Sequence, residues 1–89
     1  MHVLVAVASR HGSSLQIGEV IATTLGARGL KAVVLPVEDV ASLDGHDAVV
    51  LGSSVYAGHW LRRARVFADT FEAELARRPL WLFSSGPVG

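Results

Sequence analysis

Four short apolar runs, each too brief for a helix and each closed by a polar or turn-forming break, constrain this chain more than any other feature. They are His2–Ala8, Lys31–Leu35, Asp47–Leu51 and Leu80–Phe83. All four read as strands, and the first, third and fourth, rich in valine and leucine, as strands buried on both faces. Between them the period changes. From Ser13 or Ser14 to Arg28, the residues Ile17, Val20, Ile21, Thr24 and Leu25 recur at helical spacing, opposite Gln16, Glu19 and Thr23. The serines are placed to cap the start of that helix, and Gly29 stands where it stops. A second helix is read over roughly Trp60 to Arg77, with Leu61, Ala64, Phe67, Phe71 and Leu75 on one stripe. Pro36 ends the second strand, and Glu38–Ser42 reads as one short helical turn. Strand–helix–strand alternation with short connections predicts an α/β fold, a parallel sheet built from right-handed βαβ units.

Composition narrows the function. The chain has 89 residues, enough for one domain, and is 51% hydrophobic, which is high for its size. It has no cysteine, so disulfides, thiolate metal sites and cysteine nucleophiles are excluded. Eight basic and eight acidic residues balance, so no nucleic-acid partner is expected. No apolar run approaches the ~20 residues of a transmembrane helix. Met1–Val7 enters a strand pattern without a basic stretch, so no signal peptide is read and a cytoplasmic location is expected.

In parallel sheets ligands bind outside the carboxyl ends of the strands, where the strand order reverses. Three loops rich in glycine and serine follow the first, third and fourth strands, and so share one edge. The first, Ser9-Arg10-His11-Gly12-Ser13-Ser14, runs into a helix start. Unpaired N–H groups and partial positive charge at such a start favour phosphate. Gly12 allows close backbone approach, the serines offer hydroxyls, and Arg10 and His11 add positive field. The spacing is neither a Walker A loop nor Gly-x-Gly-x-x-Gly, and the only lysine is Lys31. A phosphomonoester held without lysine or magnesium fits this loop; helix capping and chain turning fit it equally.

The second loop follows a buried strand with Gly52-Ser53-Ser54-Val55-Tyr56-Ala57-Gly58-His59-Trp60. A flat heterocycle needs an aromatic face for stacking and backbone amides at its polar edge. Tyr56 supplies the face, Ser53 and Ser54 can reach a polyol chain, and the Ala57-Gly58 backbone can meet a ring edge. Tyr56 also reads, with less weight, as a surface aromatic packing its own loop, His59 as a helix-start residue and Trp60 as a core or surface-groove residue. Arg62, Arg63 and Arg65 form a basic patch on the second helix. It reads as a solvated face, or as a contact for an acidic partner, an anionic lipid surface or a carboxylate substrate.

These segments resemble a known family. "VLVAVASRHGSS" (Val3–Ser14) is similar to the phosphate loop of flavodoxins, which hold flavin mononucleotide, FMN. By that resemblance Ser9, His11, Gly12, Ser13 and Ser14 surround the phosphate, with Arg10 within the loop. "VVLGSSVYAGHW" (Val49–Trp60) is similar to the flavin loop of the flavodoxin-domain group that includes menaquinone-dependent protoporphyrinogen oxidase, with Ala57 inserted before Gly58. The resemblance makes Ser53, Ser54, Val55, Tyr56, Ala57 and Gly58 cofactor-binding, and extends that role to Ser84, Ser85, Gly86, Pro87 and Val88 of "LWLFSSGPVG". It covers essentially the whole chain but about the first half of the usual domain, so the flavodoxin-like sheet is expected to be truncated after the fourth strand. Two helices cannot cover both faces of such a sheet. Open apolar areas and an unpaired edge at the last strand are therefore expected, together with either a missing C-terminal half or self-association.

The expected function is an FMN-binding redox protein. No side chain is expected to be a catalytic acid or base, and the redox partner is left open. The three loops contain no carboxylate, so a quinone- or dehydrogenase-linked role is favoured over a low-potential electron carrier. The alternative is a flavodoxin-like module that has lost flavin binding and acts in anion binding or protein interaction. A receiver domain needs acidic residues where Ser9-Arg10-His11 stands, and Gly-x-Ser-x-Gly does not occur, so both a receiver and a serine hydrolase are set aside.

Overall fold

A computed structural model describes residues 1–86. Strand β1 is His2–Ala8, helix α1 Ser13–Ala27 and strand β2 Lys31–Pro36, followed by a 3-10 turn at Val37–Asp39. Strand β3 is Ala48–Tyr56, β4 His59–Trp60, α2 Arg62–Thr70, α3 Glu72–Leu75 and β5 Leu80–Ser85. The sheet runs β2-β1-β3-β5 with all three neighbouring pairs parallel, and β4 adds an antiparallel hairpin to β3. The predicted α/β architecture is the one observed.

The core follows from the pleat. Successive side chains point to opposite faces. Val3, Val5, Val7, Ala48 and Val50 face α1, while Leu4, Ala6, Ala8, Val49 and Leu51 face α2 and α3. All ten are buried, so β1 and β3 are apolar on both sides, as their continuous valine-rich runs require. The crossovers β1-α1-β2 and β3-α2-β5 lie on opposite faces because they run in opposite directions from the sheet centre.

Four local expectations change. The face of α1 that meets the sheet is Ser14, Leu15, Gly18, Ile21, Ala22 and Leu25, whereas Ile17 and Val20 are exposed. The reason is Gly18: a Cβ there would lie 2.8 Å from Val7 Cγ2, so the helix approaches the sheet at its smallest residue. Apolar periodicity does not count a glycine or a serine as a buried position. The turn after β2 is Val37–Asp39, not Glu38–Ser42. Third, β3 continues through Ser53, Ser54 and Val55, which was read as loop. Fourth, the second helix begins at Arg62 and is interrupted at Phe71, where φ is −106° and ψ 20°. Its predicted stripe survives the break: Ala64, Phe67 and Leu75 are buried, with Leu61 and Phe71 packed against them.

At the edge strand β5, Leu80, Trp81 and Leu82 are exposed, the outcome expected of a sheet with too few helices. An apolar cavity of about 480 Å³ lies between α1 and β5, bordered by Ile21, Leu25, Trp81 and Phe83. Among the described residues, no helix is long and apolar enough to cross a membrane.

Candidate functional site

The strand order reverses between β1 and β3, and the loops leaving these two strands meet above the reversal. Ser14 Oγ and Ser54 Oγ lie 2.7 Å apart and buried, and the Arg10 backbone N–H donates to Ser54 Oγ at 3.1 Å. The first and second loops are thus bonded to each other at the carboxyl edge. The pleat explains how. Ser53 and Ser54 are consecutive and point to opposite faces. Ser54 reaches the start of α1. Ser53 turns to the other face, accepts the Leu61 N–H at 3.0 Å where α2 begins, and donates to the Ser54 carbonyl at 2.8 Å.

The first loop ends at Gly12, the N-cap of α1, with φ 84° and nothing within 4 Å of the position its Cβ would take. A left-handed backbone here favours glycine. No side chain caps the helix, contrary to the expectation for the serines, because the N-cap is Gly12 and both serines lie inside the first turn, Ser14 bonded to Ser54. The first N–H groups of a 15-residue helix therefore lack side-chain acceptors. Ser9 Oγ is buried and unpartnered, a costly state for a hydroxyl unless a ligand satisfies it. Ser13 and His11 are exposed beside it.

The second loop is a hairpin. Tyr56 pairs with His59 across two residues, Ala57 at φ 52° and Gly58 at φ 80°. Two positive φ values in a two-residue hairpin define a type I′ turn. Ala57 is the only non-glycine residue with positive φ among the described residues. The turn lifts Tyr56 clear of the sheet, 58% exposed, on the α1 side. The Arg10 guanidinium carbon lies 3.6 Å from the centre of the Tyr56 ring, covering one of its faces in a cation–π contact. His59 and Trp60 form β4 rather than a helix start. The Trp60 indole N–H donates to Ser84 Oγ at 2.7 Å, which brings the end of β5 into the same constellation. Ser84 and Ser85 lie beside Ser53 and Ser54 in register, and Gly86 beside Val55. Pro87, Val88 and Gly89 lie outside the described residues. Trp60 packs against the core, as its reading as a core or groove residue expects, but no pattern in the chain marks it as the strut between two loops.

Glu38 and Asp39 border a cavity beside Ser9 and Gly12. Asp47 sits at the opposite edge, where it accepts the His2 N–H at 2.8 Å; that hydrogen bond holds its carboxyl below the ordinary range. No group of three or more metal-ligating side chains occurs among the described residues.

The flavodoxin domain matches residues 4–89. The chain belongs to the flavodoxin domain family. Flavodoxin-type order is also the familiar instance of a ligand site at the β1/β3 switch point. Oxidised flavodoxin 2 from Bacillus cereus is 28% identical over 97% of this chain and 62% of its own, with TM-score 0.78. A flavodoxin from the domain Archaea is 17% identical over 99% of this chain and 86% of its own, with TM-score 0.76. Rubredoxin oxygen:oxidoreductase from Desulfovibrio gigas is 14% identical, with TM-score 0.84 over 96% of this chain but only 23% of that protein. This chain therefore spans about a quarter of the Desulfovibrio protein and less than two thirds of the Bacillus flavodoxin. No curated protein sequence matches it.

Proposed function

We propose that this chain binds FMN at the β1/β3 switch point and serves as a flavin redox domain. The observation that carries the reading is the joining, through Ser14 and Ser54, of an uncapped helix start to a hairpin that presents Tyr56. The residues fit the cofactor. A phosphate meets the N–H groups at the start of α1 and the orphaned Ser9 hydroxyl, with Gly12 leaving room and His11, Ser13 and Arg10 at its margin. Tyr56 offers a ring for stacking, and the Ala57-Gly58 peptide and the Ser84-Ser85-Gly86 segment border the polar edge. Ser53, Ser54 and Val55 act mainly as the frame, since both hydroxyls are already bonded within the protein. FMN supplies the electron-transfer chemistry; the chain supplies binding, orientation and field.

The absence of carboxylates from the three loops supports a quinone- or dehydrogenase-linked role over that of a low-potential carrier, because fewer negative charges oppose a reduced, anionic ring. A midpoint potential as low as that of a dedicated carrier would count against it. One observation favours a second reading, an anion-binding module without flavin: Arg10 already occupies one face of Tyr56. Titration with FMN and with inorganic phosphate separates the two. Saturable quenching of flavin fluorescence supports the first; phosphate binding without quenching supports the second.

A further inference from the structure

The arginines of α2 are all exposed, but Arg63 is not merely solvated. One nitrogen of its guanidinium lies 2.7 Å from Glu38 Oε2 on the 3-10 turn after β2. The other donates to the Ser9 carbonyl at 2.8 Å. A single side chain of α2 thus joins the exits of β1 and β2. On its far side the same loop is held by Ser54, through the Arg10 N–H and Ser14. Between the loop and the 3-10 turn lies a cavity of about 310 Å³, bordered by Ser9, Gly12, Leu15, Pro36, Glu38 and Arg63. Side-chain packing therefore does little to hold the loop on this flank, and the arginine spans the gap.

We infer that Arg63, oriented by Glu38, is a positioning residue for the phosphate loop. It engages the Ser9 carbonyl, an oxygen that would repel a phosphate if it turned into the site, and leaves the Ser9 hydroxyl and the helix-start N–H groups for the anion. The guanidinium suits this task because its rigid fork serves two acceptors at once, which a lysine ammonium on a flexible stem does not reproduce. The Arg63 hydrogen bond also holds the Glu38 carboxyl below its ordinary range. The inference rests on the FMN reading and adds to it the device that shapes the loop.

A simpler role, positive charge near a phosphate, makes the opposite prediction for one substitution. Glu38→Gln removes a negative charge near the loop. If charge alone matters, FMN binds more tightly. If Arg63 must be held, FMN binds more weakly. The full chain and its Glu38→Gln and Arg63→Lys variants are titrated with FMN and with riboflavin, which lacks the phosphate. Both variants are expected to bind FMN about three- to tenfold more weakly, from lost preorganisation, with riboflavin affinity unchanged within about twofold. Amide exchange at residues 10–15 of the ligand-free chain is expected to quicken in both. Equal or tighter FMN binding by Glu38→Gln, or unchanged exchange, overturns the inference. If the unsubstituted chain quenches neither flavin, the FMN reading fails and the phosphate role with it. The exchange measurement then still decides whether Arg63 holds the loop.

Discussion

Gly52 is the residue at which the sheet core gives way to the site, and its replacement should be felt through one partner. It lies on β3 directly beside Phe83 on β5, and the Phe83 ring folds across it on the α1 face. A Cβ at position 52 would lie 2.0 Å from Phe83 Cζ and 2.1 Å from Cε2. β3, held between two neighbours, and the ring cannot both stay where they are. The cheaper movement is that of Phe83, which is half-buried on an edge strand and would swing outward, giving up its contacts with Gly52 and α1. Overpacking of this kind costs about 1–3 kcal/mol. For a domain of this length that lowers the midpoint of thermal unfolding by roughly 5–20 °C. Circular dichroism melts of Gly52→Ala would show the drop. The decisive control is the Phe83→Ala background, where the obstructing ring is absent and Gly52→Ala should shift the midpoint by less than about 3 °C. An equal loss in both backgrounds, or none in the native chain, would refute the argument that the glycine exists to admit Phe83.

Other outcomes follow from the same geometry. Ala57→Asn should stabilise the chain by about 0.5–1 kcal/mol, since asparagine tolerates the left-handed backbone of a type I′ turn better than alanine; a denaturant midpoint that falls would contradict the turn assignment. Tyr56→Ala should weaken FMN and riboflavin alike, by about three- to tenfold in Kd, because it removes a stacking face and no phosphate contact; fluorescence titration reads both. The Glu38 carboxyl is held low in the folded chain, so the pair's contribution is present above the ordinary glutamate range and is lost as pH falls through the folded value. An exposed pair contributes only about 0.5 kcal/mol, so the native chain and Glu38→Gln should differ slightly near pH 7 and converge as pH falls below the depressed folded value in chemical denaturation.

What the sequence disclosed, and what it hid, divides along physical lines. Strand β1 and the first half of β3 were legible because burial on both faces leaves an uninterrupted apolar run, and β2, a half-exposed edge strand, because its short apolar run is closed by Pro36. The turn before α1 was legible because Gly12 stands where the backbone takes a positive φ. The outer half of β3 was not, because Ser53 and Ser54 resemble a loop until one sees that each hydroxyl has a buried partner. The hairpin escaped notice because Ala57 stands where asparagine or glycine usually signals the turn. The buried face of α1 was misread by about one position, since Gly18 and Ser14 carry no hydrophobic mark. Arg63 could not be told from Arg62 and Arg65 by pattern, as its distinction lies in two acceptors 25 and 54 residues away.

The central claim is that one edge of this sheet holds a phosphate and a stacked flavin ring together. Titrating FMN with the chain and following flavin fluorescence tests it most directly. The account predicts saturable quenching at one flavin per chain, with riboflavin binding more weakly for want of the phosphate. Fluorescence that stays at the level of free FMN up to a large excess of protein would contradict it.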